Sequence, residues 1–382
     1  MATRVSAARG ENHSKGGRGG PVEGGWYEGA LQAMAGGVDL SKLDGRGVEQ
    51  VLSRARRFGL AAPVCQRLPA VGVVVRERLR LTAQMALVRE ATLEVARLFG
   101  GLKCLILKGY PLASVLFGEG SLERVSADVD VLVLPGDREE ACARLRLAGY
   151  VPAADEAPRE WAYNQHAWRH HTTGVLVELH WAVGFPELPH LGVGRCLLEA
   201  EVVELRGVEV GVPSATWGMV QLAVHLQQHL GFARGLLDLA AYVDAFGDEA
   251  TFFKEVEALA RGCGVWGVVS WGLRALEVLV GRKGAFEGLE RGGAVEAWAR
   301  LSAESARGCL TGEAPGRWGG TVAAVMPEVG SVPAILLRAA TMLVLDRPAM
   351  RLRGALYATL LGPHEAGRVL SKAGLGRWLG PG

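Results

Sequence analysis

Three carboxylates are the residues of this chain best placed to do chemistry. Asp128 and Asp130 stand two apart in the run Asp128-Val129-Asp130-Val131-Leu132-Val133, at the head of an otherwise apolar segment. Strand side chains alternate with period two, so both acids project from one face. Glu178 follows Val175, Leu176 and Val177 in a second run of the same kind, which continues into Leu179-His180-Trp181. An acid inside an apolar strand is costly to bury without a partner. Carboxylates grouped in this way call for a cation. Mg²⁺ uses one or two carboxylates and leaves the rest of its shell to water and substrate phosphate. Upstream stand Leu107-Lys108-Gly109 and Arg124. Lys and Arg neutralise phosphate charge, and a glycine between them supplies backbone freedom for a tight turn. Divalent metal and phosphate together suit this set.

Each of these residues also has a plainer reading. Paired acids at a strand end are often solvated caps, Glu178 could pair with a core arginine, Lys108 could be a rim lysine, and Arg124 could bridge to Asp128 and hold the loop. His180 shares the face of Glu178 by the period-two rule and reads first as a structural histidine, with a hydrogen bond to a catalytic carboxylate as the alternative. His225 and His229 are four apart, a helical metal-ligand spacing, but no HExxH pattern accompanies them. They read as residues that shape a cleft. The cluster His166, His170 and His171 reads as a polar loop.

The elements that must position these residues are legible in outline. From Asp44 to Phe99 apolar residues recur at three and four, most clearly from Val75 to Phe99, where Leu79, Leu81, Met85, Leu87, Val88, Leu93, Val95 and Leu98 form a stripe. Leu102 to Leu107 reads as a short buried strand, and Pro111 to Phe117 as a helix with a first-turn proline. Ala127 to Leu134 is the acid-bearing strand, and Asp137 to Ala148 a helix ended by Gly149. Extended structure is expected after Tyr150 and within Trp161 to His171. Val175 to Trp181 is the strand of the third acid, and Glu201 to Val212 a hairpin about Gly207. After Pro213 the patterns are helical, with a break expected at Gly231. Helical segments continue over 251–280, 294–307, 332–345 and 349–361.

Composition sets the limits. A chain of 382 residues exceeds one ordinary domain of roughly 100–200 residues. Four parts are expected: a disordered leader over 1–25, a helical segment over 26–100, an α/β core over 101–212 and a helical domain over 213–382. The formal net charge of +2 gives no bulk attraction to nucleic acid or a membrane surface. Six scattered cysteines without a CxxC pair read as reduced thiols of a cytoplasmic protein. The leader lacks the apolar core of a secretory signal, and the late apolar stretch 332–345 is too short and too charged to span a bilayer.

At Leu107-Lys108-Gly109, Arg124 to Asp130, Gly149-Tyr150 and Glu178-Leu179-His180-Trp181 the chain resembles the uncharacterised bacterial nucleotidyltransferase family, part of the DNA polymerase beta-like nucleotidyltransferase superfamily. The helix carrying His225 and the Leu236-Leu237-Asp238-Leu239 run resembles that family's helical domain. The resemblance implies an α+β fold with a nucleotidyltransferase-type mixed sheet core, N-terminal helices and a C-terminal helical domain. It implies that Asp128 and Asp130 are metal ligands, that Glu178 is the third carboxylate, and that Lys108-Gly109 forms the phosphate turn with Arg124 nearby. The superfamily usually carries Gly-Ser or Gly-Gly at the turn and a shorter gap to the first acid, so this chain departs from the pattern there.

The activity so implied is Mg²⁺-dependent transfer of a nucleoside monophosphate from an NTP to an acceptor, with Mn²⁺ as a substitute metal, ATP among the donors and pyrophosphate released. The acceptor is open between a small molecule, a peptide and a protein side chain. Near-neutral charge argues against long nucleic acid. Two other classes remain: a catalytically degenerate nucleotide-binding or interaction protein of the same fold, and a zinc hydrolase using His225 and His229.

Overall fold

The computed structural model describes residues 25–153, 165–183, 192–228, 233–247 and 251–312. In chain order it begins with helices α1 (Trp26–Met34), α2 (Gly45–Arg57), α3 (Ala61–Arg67) and α4 (Gly72–Leu98). Strand β1 (Cys104–Ile106), helix α5 (Tyr110–Phe117), strand β2 (Asp128–Val133) and helix α6 (Arg138–Leu147) follow. Strands β3 (Tyr150–Pro152), β4 (Gln165–His170) and β5 (Leu176–His180) complete a sheet, and β6 (Glu201–Leu205) and β7 (Val208–Val212) form a hairpin. The fold is a mixed α+β one, with helices before and after the sheet. The chain divides into two compact units, one within Leu40–Pro186 and Leu191–Gly218, the other within Trp26–Asp39 and Met219–Gly382. Helices α2 to α4 thus group with the sheet and α1 with the later helices. The expected leader, the break at Gly231, the segment from Trp161 to Asn164 and the helical patterns after 312 lie outside the described residues.

In the sheet unit the strand order is β1-β2-β5-β4-β3. β2 and β5 are parallel; the other neighbours are antiparallel. Alternation along β2 sends Val129, Val131 and Val133 to one core, shared with Val177 and Leu179 of β5 and Trp168 of β4. Helix α4 closes that core with Val88, Ala91, Leu93 and Val95, and α6 with Ala141, Cys142 and Leu145. The hairpin adds Val203, Leu205, Val210 and Val212. With the valines fixed inward, the intervening acids of β2 must face the other way. Gly211 lets β7 lie close to β1: a Cβ there would come within 2.8 Å of the Cys104 carbonyl oxygen.

Helix α4 corrects the expected stripe. Val74, Glu77, Leu81, Val88, Ala91, Thr92, Leu93 and Val95 are its buried positions, whereas Leu79 is 65% and Leu87 45% exposed. At 100° per residue Leu79 lies opposite Glu77 on the helix wheel, so the two cannot share a buried face. The buried position belongs to the acid because two arginines meet it: Arg56 at 2.7 Å and Arg80 at 2.7 Å. Burial would raise the Glu77 pKa, but hydrogen bonds and charge from Arg80 and Arg56 outweigh it and lower the pKa.

The second unit is helical. Its central helix, Trp266–Val280, is buried along nearly its whole length. Glu277 in it, wholly buried, pairs with Arg274 and accepts the Phe286 backbone N–H at 3.0 Å. Asp244 caps α1 from a distance, accepting the N–H groups of Trp26 and Tyr27 at 2.6 and 2.7 Å. No helix among the described residues is long and apolar enough to cross a membrane.

Three stability outcomes follow from the sheet unit. Gly211→Ala forces a methyl against a backbone oxygen that cannot turn aside and should cost about 1–3 kcal/mol in urea unfolding. Gly136→Ala, with nothing within 4 Å of its new Cβ, should change stability by less than about 0.5 kcal/mol. Glu77→Gln should cost about 1–2 kcal/mol at neutral pH, the arginines being half exposed. A carboxylate with a lowered folded pKa stabilises above its unfolded value of about 4.3 and loses that contribution as pH falls through the folded one. The stability gap between the native chain and Glu77→Gln should therefore close in acid, and a gap independent of pH would contradict the ion-pair account.

Candidate active site

The parallel register of β2 and β5 sets Asp130 beside Glu178 and Leu132 beside His180. Alternation then places Asp128, Asp130, Glu178 and His180 on the face away from the valine core. On the far side of β5, β4 offers Ala167 opposite Glu178 and Gln165 opposite His180, so a small side chain leaves room next to the third acid. One oxygen from each of Asp130 and Glu178 and one nitrogen of His180 lie within 4.8 Å of one another, and no other such group of metal-ligating side chains exists among the described residues. Asp128 lies outside this tight set. Its Oδ1 accepts a hydrogen bond from Ser126 Oγ at 2.8 Å.

β1 delivers the lysine. Its pairing with β2 extends one step past Ile106, where the Leu107 N–H donates to the Asp130 carbonyl at 2.9 Å. Lys108 Nζ then reaches Asp130 Oδ2 at 3.0 Å. Gly109 follows with φ of 84°, the region that favours glycine. It starts α5, whose first turn holds Pro111. Arg124 is buried, and its guanidinium donates to the Gly109 carbonyl at 3.1 Å. The structure thus sets Arg124 beneath the turn, where it shapes the loop.

The long loop between α5 and β2 is tied at several points. Glu123 pairs with Arg67 at 2.9 Å, and Gln84 of α4 donates to the Ser126 carbonyl at 2.8 Å. Ser126 and Gln84 did not stand out in the sequence. Ser126 precedes Asp128 by two, the spacing of a local side-chain hydrogen bond, and that was the available signal. For Gln84, 42 residues away, there was none.

Electrostatics explain how the acid survives burial. Asp130 is 1% exposed. Burial would push its pKa up, but the Lys108 charge and a hydrogen bond from His180 hold it well below the usual carboxylate range. His180 Nε2 lies 3.3 Å from Asp130 Oδ1 and 3.7 Å from Glu178 Oε2. Burial alone would lower the histidine pKa; Asp130 and then Glu178 push it up to about 9. The two carboxylates thus favour protonation of His180, which gives the ring a role beyond packing. Lys108 likewise keeps its proton: burial disfavours the charge, and Asp130, Asp128 and Glu178, in that order, more than restore it.

The donor set fits a divalent cation. Asp130 Oδ2 is buried and has no hydrogen-bond partner, and two carboxylates beside one imidazole are a donor set that could hold a metal ion. Among the described residues no other histidine belongs to such a group. His225 is half-buried in the helix Ala215–Gln228, and His229 lies outside the described residues. His170 Nδ1 accepts the Thr172 and Thr173 N–H groups at 3.3 and 3.2 Å and so shapes the β4–β5 turn. His171 Nδ1 lies 2.8 Å from the Gly149 carbonyl oxygen.

No curated protein matches the chain. A family model described as an uncharacterised nucleotidyltransferase matches residues 44–281, more than half of the 382 residues. The match runs from the Asp44 N-cap of α2 to Gly281, the C-cap of the helix Trp266–Val280. It encloses the Lys108 turn, both acids of β2 and the Glu178 strand, and it places this chain in the uncharacterised nucleotidyltransferase family.

Proposed function

We propose that the protein transfers a nucleoside monophosphate from an NTP, such as ATP, to an acceptor hydroxyl or similar group, releasing pyrophosphate. The observation that carries this reading is the pairing of Asp130 with Glu178 across parallel strands, with the Lys108 ammonium 3.0 Å from Asp130. Family membership supports nucleotidyl transfer as the reaction class; the donor, the metal and the residue roles are our reading of the site. Asp128, Asp130 and Glu178 would hold Mg²⁺ or Mn²⁺, with His180 beside them. When bound, such an ion supplies charge stabilisation for the attacking and leaving oxygens of an in-line displacement.

The remaining roles fall to the chain itself. Lys108 and the first-turn N–H groups of α5 would bind the phosphates, since a helix N-terminus favours negative charge. Arg124 would act under the turn, fixing the Gly109 carbonyl. The acceptor oxygen attacks the α-phosphorus, the bond to the bridging oxygen of the β-phosphate breaks, and pyrophosphate leaves. Glu178, whose side chain is 23% exposed against 2% for Asp130, is the carboxylate placed to take the acceptor proton. Asp130, wholly buried, orients and does not exchange protons. The acceptor would be a small molecule, a peptide or a protein side chain. An NTP donor and six cysteines that form no disulfide fit a reducing, cytoplasmic setting.

One observation favours a second reading. An ammonium already seated against Asp130 is also what a site that no longer turns over would contain, leaving a nucleotide-binding module. Incubation with α-labelled NTPs, Mg²⁺ or Mn²⁺ and fractionated acceptor pools separates the two. Transfer of label with stoichiometric pyrophosphate is expected, falling by about 10²-fold or more in Asp130→Asn, as when a preorganised charge is lost from an active site. Release of orthophosphate in place of pyrophosphate, or equal labelling by Asp130→Asn, would contradict nucleotidyl transfer at these carboxylates. Nucleotide binding without turnover in every pool would favour the module.

Glu178→Gln tests the proton role. It should lower the transfer rate by about 10²–10⁴-fold, read by single-turnover labelling at saturating metal and nucleotide. A rate within a few-fold of the native chain would remove Glu178 as the base.

A further inference from the structure

The metal reading of the carboxylate cluster leaves the Lys108 ammonium in the way. Lys108 Nζ lies 3.0 Å from Asp130 Oδ2, its side chain only 13% exposed. That oxygen has no hydrogen bond of sound geometry, so the ammonium is its charge compensation. The same ammonium lies in the field of Asp128 and Glu178 as well as Asp130. A divalent ion and a tethered ammonium compete for the same lone pairs and repel one another at short range. An ion bound at Oδ2 therefore weakens the hold of that oxygen on the ammonium.

The surroundings give the lysine somewhere to go. It sits on a flexible four-carbon stem, directly before Gly109 and the N-terminus of α5. His180 stays behind on β5, also in contact with Asp130, so the acid retains a partner when the lysine leaves.

We infer that Lys108 is the resident counter-cation of the carboxylate cluster: it offsets Asp130 until a divalent ion arrives, is displaced by that ion, and carries its ammonium to the phosphates of the incoming nucleotide. The inference rests on the metal reading given above. It makes metal and nucleotide mutually supporting ligands, because the metal releases the lysine and the phosphates keep it away; such coupling is reciprocal.

Mn²⁺ alone is the probe, with free and bound ion counted by electron paramagnetic resonance at fixed ionic strength. Lys108→Met keeps the length of the buried side chain and removes its charge, and it should bind Mn²⁺ about tenfold tighter than the native chain, a modest share of the coupling seen for close charge pairs. Adding a non-hydrolysable ATP analogue should tighten Mn²⁺ several-fold in the native chain and much less in Lys108→Met. Asp130→Asn should abolish binding in either background. If Mn²⁺ binds the native chain, is lost in Asp130→Asn, and binds Lys108→Met equally or more weakly, the inference falls while the metal reading stands. If neither the native chain nor Lys108→Met binds Mn²⁺, the metal reading falls and takes the inference with it. Equal tightening by the analogue in both proteins would overturn the transfer of the ammonium to phosphate. Should Lys108→Met fail to fold, Lys108→Ala carries the same expectation.

Discussion

Keeping an ionised carboxylate at 1% exposure is the constraint on which the rest of the sheet unit depends. Burying an isolated charge costs several kcal/mol even after relaxation. Asp130 is tolerated because two cations reach it from different strands, Lys108 from the end of β1 and His180 from β5. Each arrives by strand pairing: β1 runs antiparallel to β2 and ends beside Asp130, and β5 runs parallel, so its alternate residues fall alongside the acids. A one-residue slip of either strand would bring a valine or leucine to the charge and send the charge to the valine core. The register is thus held from both faces.

The helices and loops serve that register. α4 and α6 cover the valine side, which leaves the other side of the strands to the acids. The Arg67–Glu123 pair, the Gln84 hydrogen bond to Ser126 and the Arg124 hydrogen bond to Gly109 hold the connection between α5 and β2. That connection carries Ser126 to Asp128 and sets the lysine turn against the acids. Side chains far apart in sequence thereby converge on a loop that has little regular structure of its own.

Much of this was legible in the sequence, and what was not has identifiable physical causes. The Asp128 and Glu178 strands, the helix between β2 and β3 and the hairpin about Gly207 follow from alternation, a Gly stop and turn chemistry, all local signals. The same-face placement of Asp128 and Asp130 is a property of any strand. The register that joins Asp130 to Glu178, 48 positions later in the sequence, is not local; the resemblance supplied it. His180 was placed on the right face by parity, but its charge depends on Asp130, which belongs to another strand. Arg124 as a scaffold for Gly109, and Glu77 as a buried acid on α4, were hidden for the same reason: each is settled by distant partners. Leu79 is exposed against expectation because an apolar count does not reveal which helix face a buried ion pair has claimed.

If the carboxylates of β2 form a metal-dependent nucleotide site, nucleotide stabilises the fold only together with the metal and only while those carboxylates are present. Thermal unfolding with Mg²⁺ and each NTP in turn, on the native chain and on Asp128→Ala/Asp130→Ala, tests it without knowledge of the acceptor. A ligand at about 100 times its dissociation constant adds roughly 2.7 kcal/mol, and each kcal/mol raises the midpoint by about 2–4 °C in a domain of moderate size. A rise of several degrees is expected with at least one NTP, dependent on Mg²⁺ and absent from the double variant. A rise of equal size in the double variant, or none with any NTP in the folded native chain, would contradict it.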